Sequence, residues 1–351
     1  MRYSGSKPEE ISKANKAVNL YRYLVLGLTG TFCLAFFFAL ALLSPVSPKS
    51  ESRELVVAIP QQANAGLVGE ILEKEGLVRS PLAFRLYARW KGMDSRIKAG
   101  QYRLNSNLST SQIIKELVDG RLAVLSLTVP EGFNTAQVAD LLAAKELVNR
   151  EKFISVVANQ KYTYSFLYEL PIGDKRLEGY LFPDTYSFNI GDSESAIIET
   201  MLKRFEQEMA ELDYAIQAER NGITLHQAVT IASLVEREAK ADEERPLIAG
   251  VIYNRLNISM PLQIDATIQY ALGGNKPEIF YKDLEVDSPY NTYRNYGLPP
   301  GPIAMPGRAS LLAAVNPADT AYLYYVAKPD GFHAFATTLA QHNVNKEMYQ
   351  Q

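Results

Sequence analysis

The sequence predicts an α+β protein with an N-terminal transmembrane helix, a small α/β module and a larger mixed α+β domain. An uncharged run of twenty residues lies near the N-terminus, and a strand–turn–helix segment occurs twice, seventy residues apart. After the second copy, helical and strand-like patterns alternate irregularly, which is typical of the α+β class. The composition is 47% apolar and 21% charged, as in globular proteins. The chain of 351 residues is long enough for two or three domains.

The uncharged run comprises residues 24–43, LVLGLTGTFCLAFFFALALL. At 1.5 Å per residue it spans about 30 Å, the thickness of a bilayer core. It is too long for a typical cleaved signal peptide, and no small-x-small cleavage site follows it. Five basic residues precede the run and two follow it closely. The positive-inside rule therefore predicts a cytoplasmic tail (1–22), a transmembrane helix (23–43), a flexible linker (44–53) and an exported remainder.

The charge distribution argues against nucleic acid as a partner. Residues 1–22 carry a balance of +3, so the net charge of -3 leaves -6 for the rest of the chain. An exported part with that balance has no excess of basic residues for phosphate contacts. The phosphate-binding patterns GxxxxGK[ST] and GxGxxG are absent from the sequence.

The cysteine and histidine content predicts neither disulfides nor a metal site. Cys33, the single cysteine, lies inside the apolar run, so the exported part cannot form a disulfide. His226, His333 and His342 are far apart in sequence and have no ligand-like spacing. We therefore expect no metal and no cofactor.

The repeated segment is IPQQANAGLVGEILEKEGLV at residues 59–78 and VPEGFNTAQVADLLAAKELV at residues 129–148. Pro60 matches Pro130 and Asn64 matches Asn134, without a gap. Each copy predicts a strand, a turn and an amphipathic helix. Such a unit is similar to those of LysM-like glycan-binding domains. We assign residues 54–125 to this LysM-like module and residues 126–351 to the larger domain.

In the larger domain, one helix carries an anomalous carboxylate. Thr224 and Gln227 form a capping-box pattern that predicts a helix start, and TLHQAVTIASLVEREAK then has an apolar stripe. Glu236 falls inside the stripe and Glu238 at its edge. A carboxylate on a buried face is costly unless it is paired, protonated or functional. The pattern leaves open an ion pair with a neighbouring Arg237, Lys240 or Arg245.

Other helices are predicted on both sides of this one. A long amphipathic helix is expected to run from about residue 193 to Asn221, and another over residues 244–257. Asp265 is interpreted either as the cap of a short helix or as a site residue.

Six ordered motifs resemble the YceG-like family of endolytic murein transglycosylases. They are LEGYLFPDTY (177–186), ASLVEREA (232–239), VIYNRL (251–256), MPLQIDATIQYALG (260–273), SPYNTYRNYGLPPGPIAMPG (288–307) and YLYYVAKPDGFHAFATTLAQHN (322–343). The resemblance covers nearly the whole exported part. It implies an enzyme that cleaves the β-1,4 bond between N-acetylmuramic acid and N-acetylglucosamine without water, leaving 1,6-anhydro ends on peptidoglycan strands.

The resemblance also implies roles for individual residues. The family's essential glutamate is carried onto Glu236, with Glu238 as the fallback. Residues expected to bind the sugar are Gln263, Asp265, Asn291, Tyr293 and Asn254, the last of which is open to a purely structural role. A hydrolase using Glu236 with Asp265, and a non-catalytic glycan-binding scaffold, are the alternatives. Expected partners are glycan strands and peptidoglycan synthases, at the (inner) cell membrane.

Overall fold

The computed structural model of the protein describes residues 8–168, 170, 173–274, 276 and 279–349, and side chains from residue 21 onward apart from 23 and 24. Residues 1–7 of the predicted cytoplasmic tail lie outside the described residues. Contacts divide the chain into two compact units. The first runs to Val124 and includes Asn189–Gly191, and the second comprises Leu125–Phe188 and the chain from Asp192 onward. The mixed α+β class is confirmed.

The N-terminal apolar run is helical. Helix α1 covers Pro8–Leu43, so it begins well before the apolar residues. Val25–Leu43 has a mean hydropathy of 2.2 and is not buried within the protein. These 19 residues are long and apolar enough to cross a membrane.

The predicted linker is attached to the first unit. The Arg79 guanidinium donates hydrogen bonds to the carbonyl oxygens of Pro45 (2.8 Å) and Val46 (3.2 Å). The Ser47 N–H donates to the Ser106 carbonyl at 3.2 Å. Arg79 and the Ser106 carbonyl, both outside the segment, therefore bind the backbone of residues 45–47.

The first unit has a strand–helix–helix–strand order followed by one more helix: β1 (Glu54–Ile59), α2 (Ala65–Lys74), α3 (Pro81–Trp90), β2 (Gly100–Asn105) and α4 (Thr110–Asp119). β1 and β2 pair antiparallel, from Glu54 opposite Asn105 to Ile59 opposite Gly100. Gly120 ends α4 in the left-handed conformation, which glycine adopts readily. The side chains that fill the core are Val68, Leu72, Phe84, Tyr102, Leu104, Ile113 and Leu117.

The second copy of the repeat forms β3 (Val124–Thr128) and α5 (Thr135–Ala144). Asn64 and Asn134 both cap their helices through the side-chain oxygen, which is why the two helices begin at equivalent positions. After each helix, a leucine N–H donates to the carbonyl five residues earlier. The predicted strand–turn–helix duplication is therefore confirmed.

The second unit continues with α6 (Arg150–Asn159), β4 (Thr185–Asn189), α7 (Glu194–Glu211) and α8 (Tyr214–Arg220). β3 pairs with β4. The prediction of one long helix ending near Asn221 is wrong, because the chain breaks between α7 and α8. Asp213 has a φ of 47°, which a continuous right-handed helix does not allow.

Helix α9 (Leu225–Glu238) lies at the centre of the second unit and begins with the predicted capping box. Every residue from Ala228 to Val235 is buried. α9 packs against α10 (Arg245–Asn257), α11 (Asp265–Ala271) and α12 (Arg308–Val315). An antiparallel hairpin of β5 (Tyr324–Ala327) and β6 (His333–Ala336) follows, and then α13 (Leu339–Tyr349).

A buried carboxylate connects three parts of the second unit. Glu178 accepts hydrogen bonds from the Thr135 N–H at the start of α5 and from the Tyr270 hydroxyl on α11, both at 2.9 Å. Burial raises the pKa of Glu178 to about 7, although both hydrogen bonds oppose that rise. The LEGYLFPDTY motif is therefore fixed to two helices by one side chain.

We predict that Gly250→Ala destabilises the protein. A Cβ at Gly250 would lie 2.6 Å from the backbone oxygen of Ala318. Overpacking of this kind costs about 1–3 kcal/mol, whereas alanine in an unobstructed helix stabilises by roughly 0.5–1 kcal/mol. Thermal unfolding in detergent should show a midpoint several degrees lower. A higher midpoint would contradict the close approach of the two backbones.

Candidate active site

The candidate site lies at the C-terminal end of α9, where two carboxylates point to different sides. At about 100° per residue, Glu236 and Glu238 are roughly 200° apart around the helix axis. Each carboxylate therefore meets a different set of neighbours, and these neighbours determine what each can do.

Glu236 is held in a buried ion pair. Its Oε2 accepts hydrogen bonds from the Gly307 N–H at 3.0 Å and from Nη1 of Arg245 at 3.2 Å. The side chains of Glu236 and Arg245 are 7% and 8% exposed. Arg245 also contacts Asp242 and Ser310. A buried arginine and a backbone donor therefore hold this carboxylate in place.

A further carboxylate, that of Glu131, lies beside this pair. Its oxygens occupy the space next to Gly307 that a side chain at that position would fill. Partial burial and the charge of Glu236 raise the pKa of Glu131, while Arg245 opposes the rise. Taken over all its atoms, Glu131 is exposed to solvent. It belongs to the turn of the second repeat copy.

Glu238 lies on the other side of α9, in a polar cleft of about 530 Å³. Its Oε2 accepts a hydrogen bond from the Tyr325 hydroxyl at 2.9 Å. No arginine or lysine forms an ion pair with Glu238 among the described residues. The cleft is lined by Glu238, Arg255, Leu262, Gln263, Asp265, Tyr293, Tyr324, Tyr325, Val326, Ala327, His333, Leu339, His342, Asn343 and Lys346.

Burial raises the pKa of Glu238 above the ordinary value for glutamic acid. The hydrogen bond from Tyr325 opposes this rise, the negative charge of Asp265 adds to it, and His333 opposes it. Burial and the charge of Glu238 also raise the pKa of Tyr325, so its hydroxyl stays protonated and donates. A carboxyl group with a raised pKa in an open cleft has the properties of a general acid.

Three of the predicted sugar-binding residues meet in this cleft. Asp265 accepts a hydrogen bond from the Tyr293 hydroxyl. Gln263 has a φ of 51°, a left-handed conformation that is uncommon for a residue other than glycine. Its N–H donates to the Thr292 carbonyl at 3.1 Å, and the Ile264 N–H donates to the Thr292 hydroxyl at 2.9 Å. Thr292 thus fixes the backbone that presents Gln263 and Asp265 to the cleft.

Asp265 does not cap its helix. It is the first residue of α11, and no side-chain cap is formed there. The interpretation of Asp265 as a capping residue is therefore wrong, because its carboxylate is bonded to Tyr293 instead.

The two remaining predicted residues bind backbone and do not line the cleft. Asn291 is fully buried and donates to the carbonyls of Leu284 (2.9 Å) and Val286 (2.8 Å). Asn254 donates to the carbonyls of Thr320 (2.7 Å) and Tyr322 (3.0 Å). Their side-chain amides hold loops that lead into the cleft walls.

Sequence reasoning assigned no role to Arg255, Tyr325 and His333, which all line the cleft. Arg255 donates to the carbonyls of Leu262 and Leu323, both at 2.6 Å. His333 is bonded to Glu244 at 2.8 Å through its ring nitrogen. Tyr325 and His333 belong to the motif YLYYVAKPDGFHAF, so their position in that motif was the available signal.

The described residues contain no group of three His, Cys, Asp or Glu side chains that could hold a metal ion. The polar groups of the cleft include two carboxyl groups, tyrosine hydroxyls and an arginine.

Residues 57–348 match the model of the YceG-like family. A relative from Bacillus subtilis, named endolytic murein transglycosylase, is 38% identical over 327 residues, which is 90% of each chain. A relative of the same name from Streptococcus pneumoniae is 36% identical over 86% of this chain, and the match spans 59% of that longer protein. A crystal structure of a YceG-like protein from Listeria monocytogenes matches with a TM-score of 0.57 and 34% identity, over 84% of this chain and 99% of that one.

The cleft combines a helix-borne carboxyl group with a raised pKa, tyrosines and a second carboxylate, which are the kinds of group that acid–base enzymes use. With that site and matches of this extent, the chain belongs to the YceG-like family.

We predict that Arg245→Met destabilises the protein by about 3–5 kcal/mol, because it leaves the Glu236 carboxylate buried without a counter-charge. Adding Glu236→Gln should restore much of the loss, since no buried charge then remains. Thermal unfolding of the two single variants and the double variant measures this. A double variant that is no more stable than Arg245→Met would contradict the ion pair.

Proposed function

We propose that the chain is an endolytic murein transglycosylase whose general acid and base is Glu238. The observation that carries the proposal is the position of Glu238, with a raised pKa, in a cleft shared with Asp265 and Tyr293. The relatives' name supplies the substrate class, the glycan strands of peptidoglycan. A volume of about 530 Å³ is within the usual range for ligand sites.

In the proposed reaction, the Glu238 carboxyl group protonates the glycosidic oxygen between N-acetylmuramic acid and N-acetylglucosamine. The bond from the muramic C1 to that oxygen breaks, and N-acetylglucosamine leaves with a new hydroxyl group. The muramic C6 hydroxyl then bonds to C1 and gives its proton to the Glu238 carboxylate. No water is consumed, and the acid is regenerated for the next cleavage.

The residues beside Glu238 would stabilise the charge that develops during the reaction and orient the reacting groups. Asp265 lies near enough to influence the Glu238 pKa, and a second carboxylate can stabilise a positively charged, oxocarbenium-like sugar. Tyr293 orients Asp265, and the Tyr325 hydroxyl donates to Glu238 as its negative charge develops. We assign sugar binding to Gln263, whose strained backbone is fixed by Thr292.

This proposal exchanges the roles expected for the two glutamates of the ASLVEREA motif. Glu236 was expected to be the acid and Glu238 the fallback. The contacts of Glu236 with Arg245 and the Gly307 N–H favour a structural role for this side chain. The cleft around Glu238 favours a group that exchanges a proton with a ligand.

We predict that Glu238→Gln lowers the formation of anhydromuramyl ends by about 10²–10⁴-fold, the usual contribution of an acid–base residue. The matched control is Glu236→Gln, which should keep activity within about tenfold of the parent chain. Both are measured by mass spectrometry of digests of uncrosslinked glycan strands, with thermal unfolding to verify folding. If Glu236→Gln is folded but inactive while Glu238→Gln is active, the general acid is Glu236 and not Glu238.

The same digests test a hydrolase, the second candidate reaction. Asp265 and Glu238 share one cleft, and two carboxylates are what glycoside hydrolases use. Hydrolysis adds one water to each product and leaves reducing ends, whereas the transglycosylase reaction does neither. Strand binding without any product would favour the remaining alternative, a glycan-binding scaffold.

We predict opposite pH shifts for two cleft variants. Asp265→Asn removes a negative charge that raises the Glu238 pKa, so the alkaline limb of activity should move to lower pH. Tyr325→Phe removes a hydrogen bond that lowers this pKa, so the limb should move to higher pH. The pH dependence of kcat/KM measures both. Shifts in the same direction would contradict Glu238 as the titrating acid.

For the first unit we propose a LysM-like glycan-binding role. Its strand–helix–helix–strand order supports the comparison. A cavity of about 370 Å³ lies between the turn after β1 and the segment before β2. The residues that line it are Ile59, Pro60, Gln62, Ala63, Asn64, Ala65, Asp94, Ser95, Ile97 and Ala99.

We further propose that α1 anchors the chain in the cell membrane, with residues 1–22 in the cytoplasm and the chain from residue 44 onward on the other side. The length and hydropathy of Val25–Leu43 support the span, and the excess of basic residues before it supports the orientation. Peptidoglycan synthases are the protein partners we propose, since they make the strands that this enzyme would cut.

A further inference from the structure

Helix α3 in the first unit has an exposed apolar face. Leu82, Leu86 and Trp90 recur every four residues, and their exposures are 63%, 59% and 74%. The opposite face of the helix carries Phe84 and Ala88, which are fully buried in the core. α3 is therefore attached to the unit by one side and leaves large apolar side chains uncovered on the other.

This exposed face continues onto the end of the apolar helix α1. Ala39, Leu42 and Leu43 of α1 line one wall of a groove of about 310 Å³, and Leu82, Leu86 and Trp90 line the other. The three α1 residues belong to the last turns of Val25–Leu43. At 1.5 Å per residue they lie within about 6 Å of the end of the span. With α1 crossing the membrane as proposed, the α3 face would be level with the boundary of the bilayer.

The charged residues of α3 itself have one sign. α3 and the two residues after it carry Arg85, Arg89 and Lys91, and they carry no acidic residue. The Lys91 ammonium lies 4.3 Å from the centre of the Trp90 ring. Leucine and tryptophan on one face with basic residues beside them are typical of helices that lie in a membrane interface rich in anionic lipids.

We propose that α3 lies in the outer-leaflet interface of the membrane, with Leu82, Leu86 and Trp90 among the acyl chains and Arg85, Arg89 and Lys91 at anionic headgroups. This inference rests on the proposed anchoring by α1. The occupant is a lipid surface because the apolar face is continuous with the helix that crosses the lipid. The first unit then contacts the bilayer at two places, α1 and α3.

The test uses Trp90, which is the only tryptophan in the chain. The full chain is reconstituted into phosphatidylcholine vesicles containing phosphatidylglycerol, with ordinary or brominated acyl chains. Flotation of the vesicles in a density gradient shows whether the chain is anchored. Tryptophan emission shows whether Trp90 contacts acyl chains, because bromine quenches only on close approach.

We expect the chain to float and Trp90 emission to fall severalfold in the brominated vesicles. Replacing Leu82 and Leu86 together by Asn should leave flotation unchanged and remove most of this quenching. Leu67→Asn is the matched control, because Leu67 is also exposed, on α2, and does not line the groove. The Trp90 emission of this control variant should be quenched as strongly as that of the parent chain.

A chain that floats while Trp90 emission is the same in both vesicles would overturn the inference and leave the anchor intact. The same outcome would direct attention to a protein partner on this face. A chain that does not float would overturn the anchor and the inference together. Neither result bears on Glu238, whose activity is measured separately on soluble strands.

Discussion

The fold of the second unit depends on how one buried helix ends. α9 has no solvent-facing side over its middle, where even Thr230 and Ser233 are buried and satisfy their hydroxyls on the backbone. Two carboxylates emerge together at its last turn. Arg245 and the Gly307 N–H neutralise one of them, and this contact joins α10 and the loop before α12 to α9. The other carboxylate accepts from the neutral Tyr325 hydroxyl and has Asp265 nearby, and its burial raises its pKa.

Local chemistry made much of the fold predictable from the sequence. Asn64, Asn134 and Thr224 cap helices with their own side chains, and Gly120 ends one, so those boundaries depend on neighbouring residues. The different surroundings of Glu236 and Glu238 were not predictable in this way. They depend on Arg245, Gly307 and Tyr325, and the last two lie about seventy to ninety residues farther along the chain. A helical wheel gives the angle of a side chain but not its partner.

The two copies of the repeat also show that a local sequence pattern does not determine which distant residues a segment contacts. Both copies form a strand, a turn and a capped helix, yet the turns have different surroundings. In the first copy the turn lines an open cavity of its own unit. In the second, Gly132 and Phe133 exchange backbone hydrogen bonds with Met305, and the Gly132 carbonyl accepts from Arg237 next to the two glutamates. The exposed Glu131 beside Glu236 comes from this second turn, where the first copy has Gln61.

The hydrogen bonds of Arg79 to Pro45 and Val46 shorten the free connection between the apolar helix and the first unit to almost nothing. A long loose connection would let the unit sample a hemisphere above its anchor. With α1 anchored in the membrane as proposed, this short connection would hold β1 to α4 at one height above the bilayer while leaving them free to move in its plane. If they also bind glycan as proposed, the search for a strand would be two-dimensional and at a fixed distance from the membrane surface.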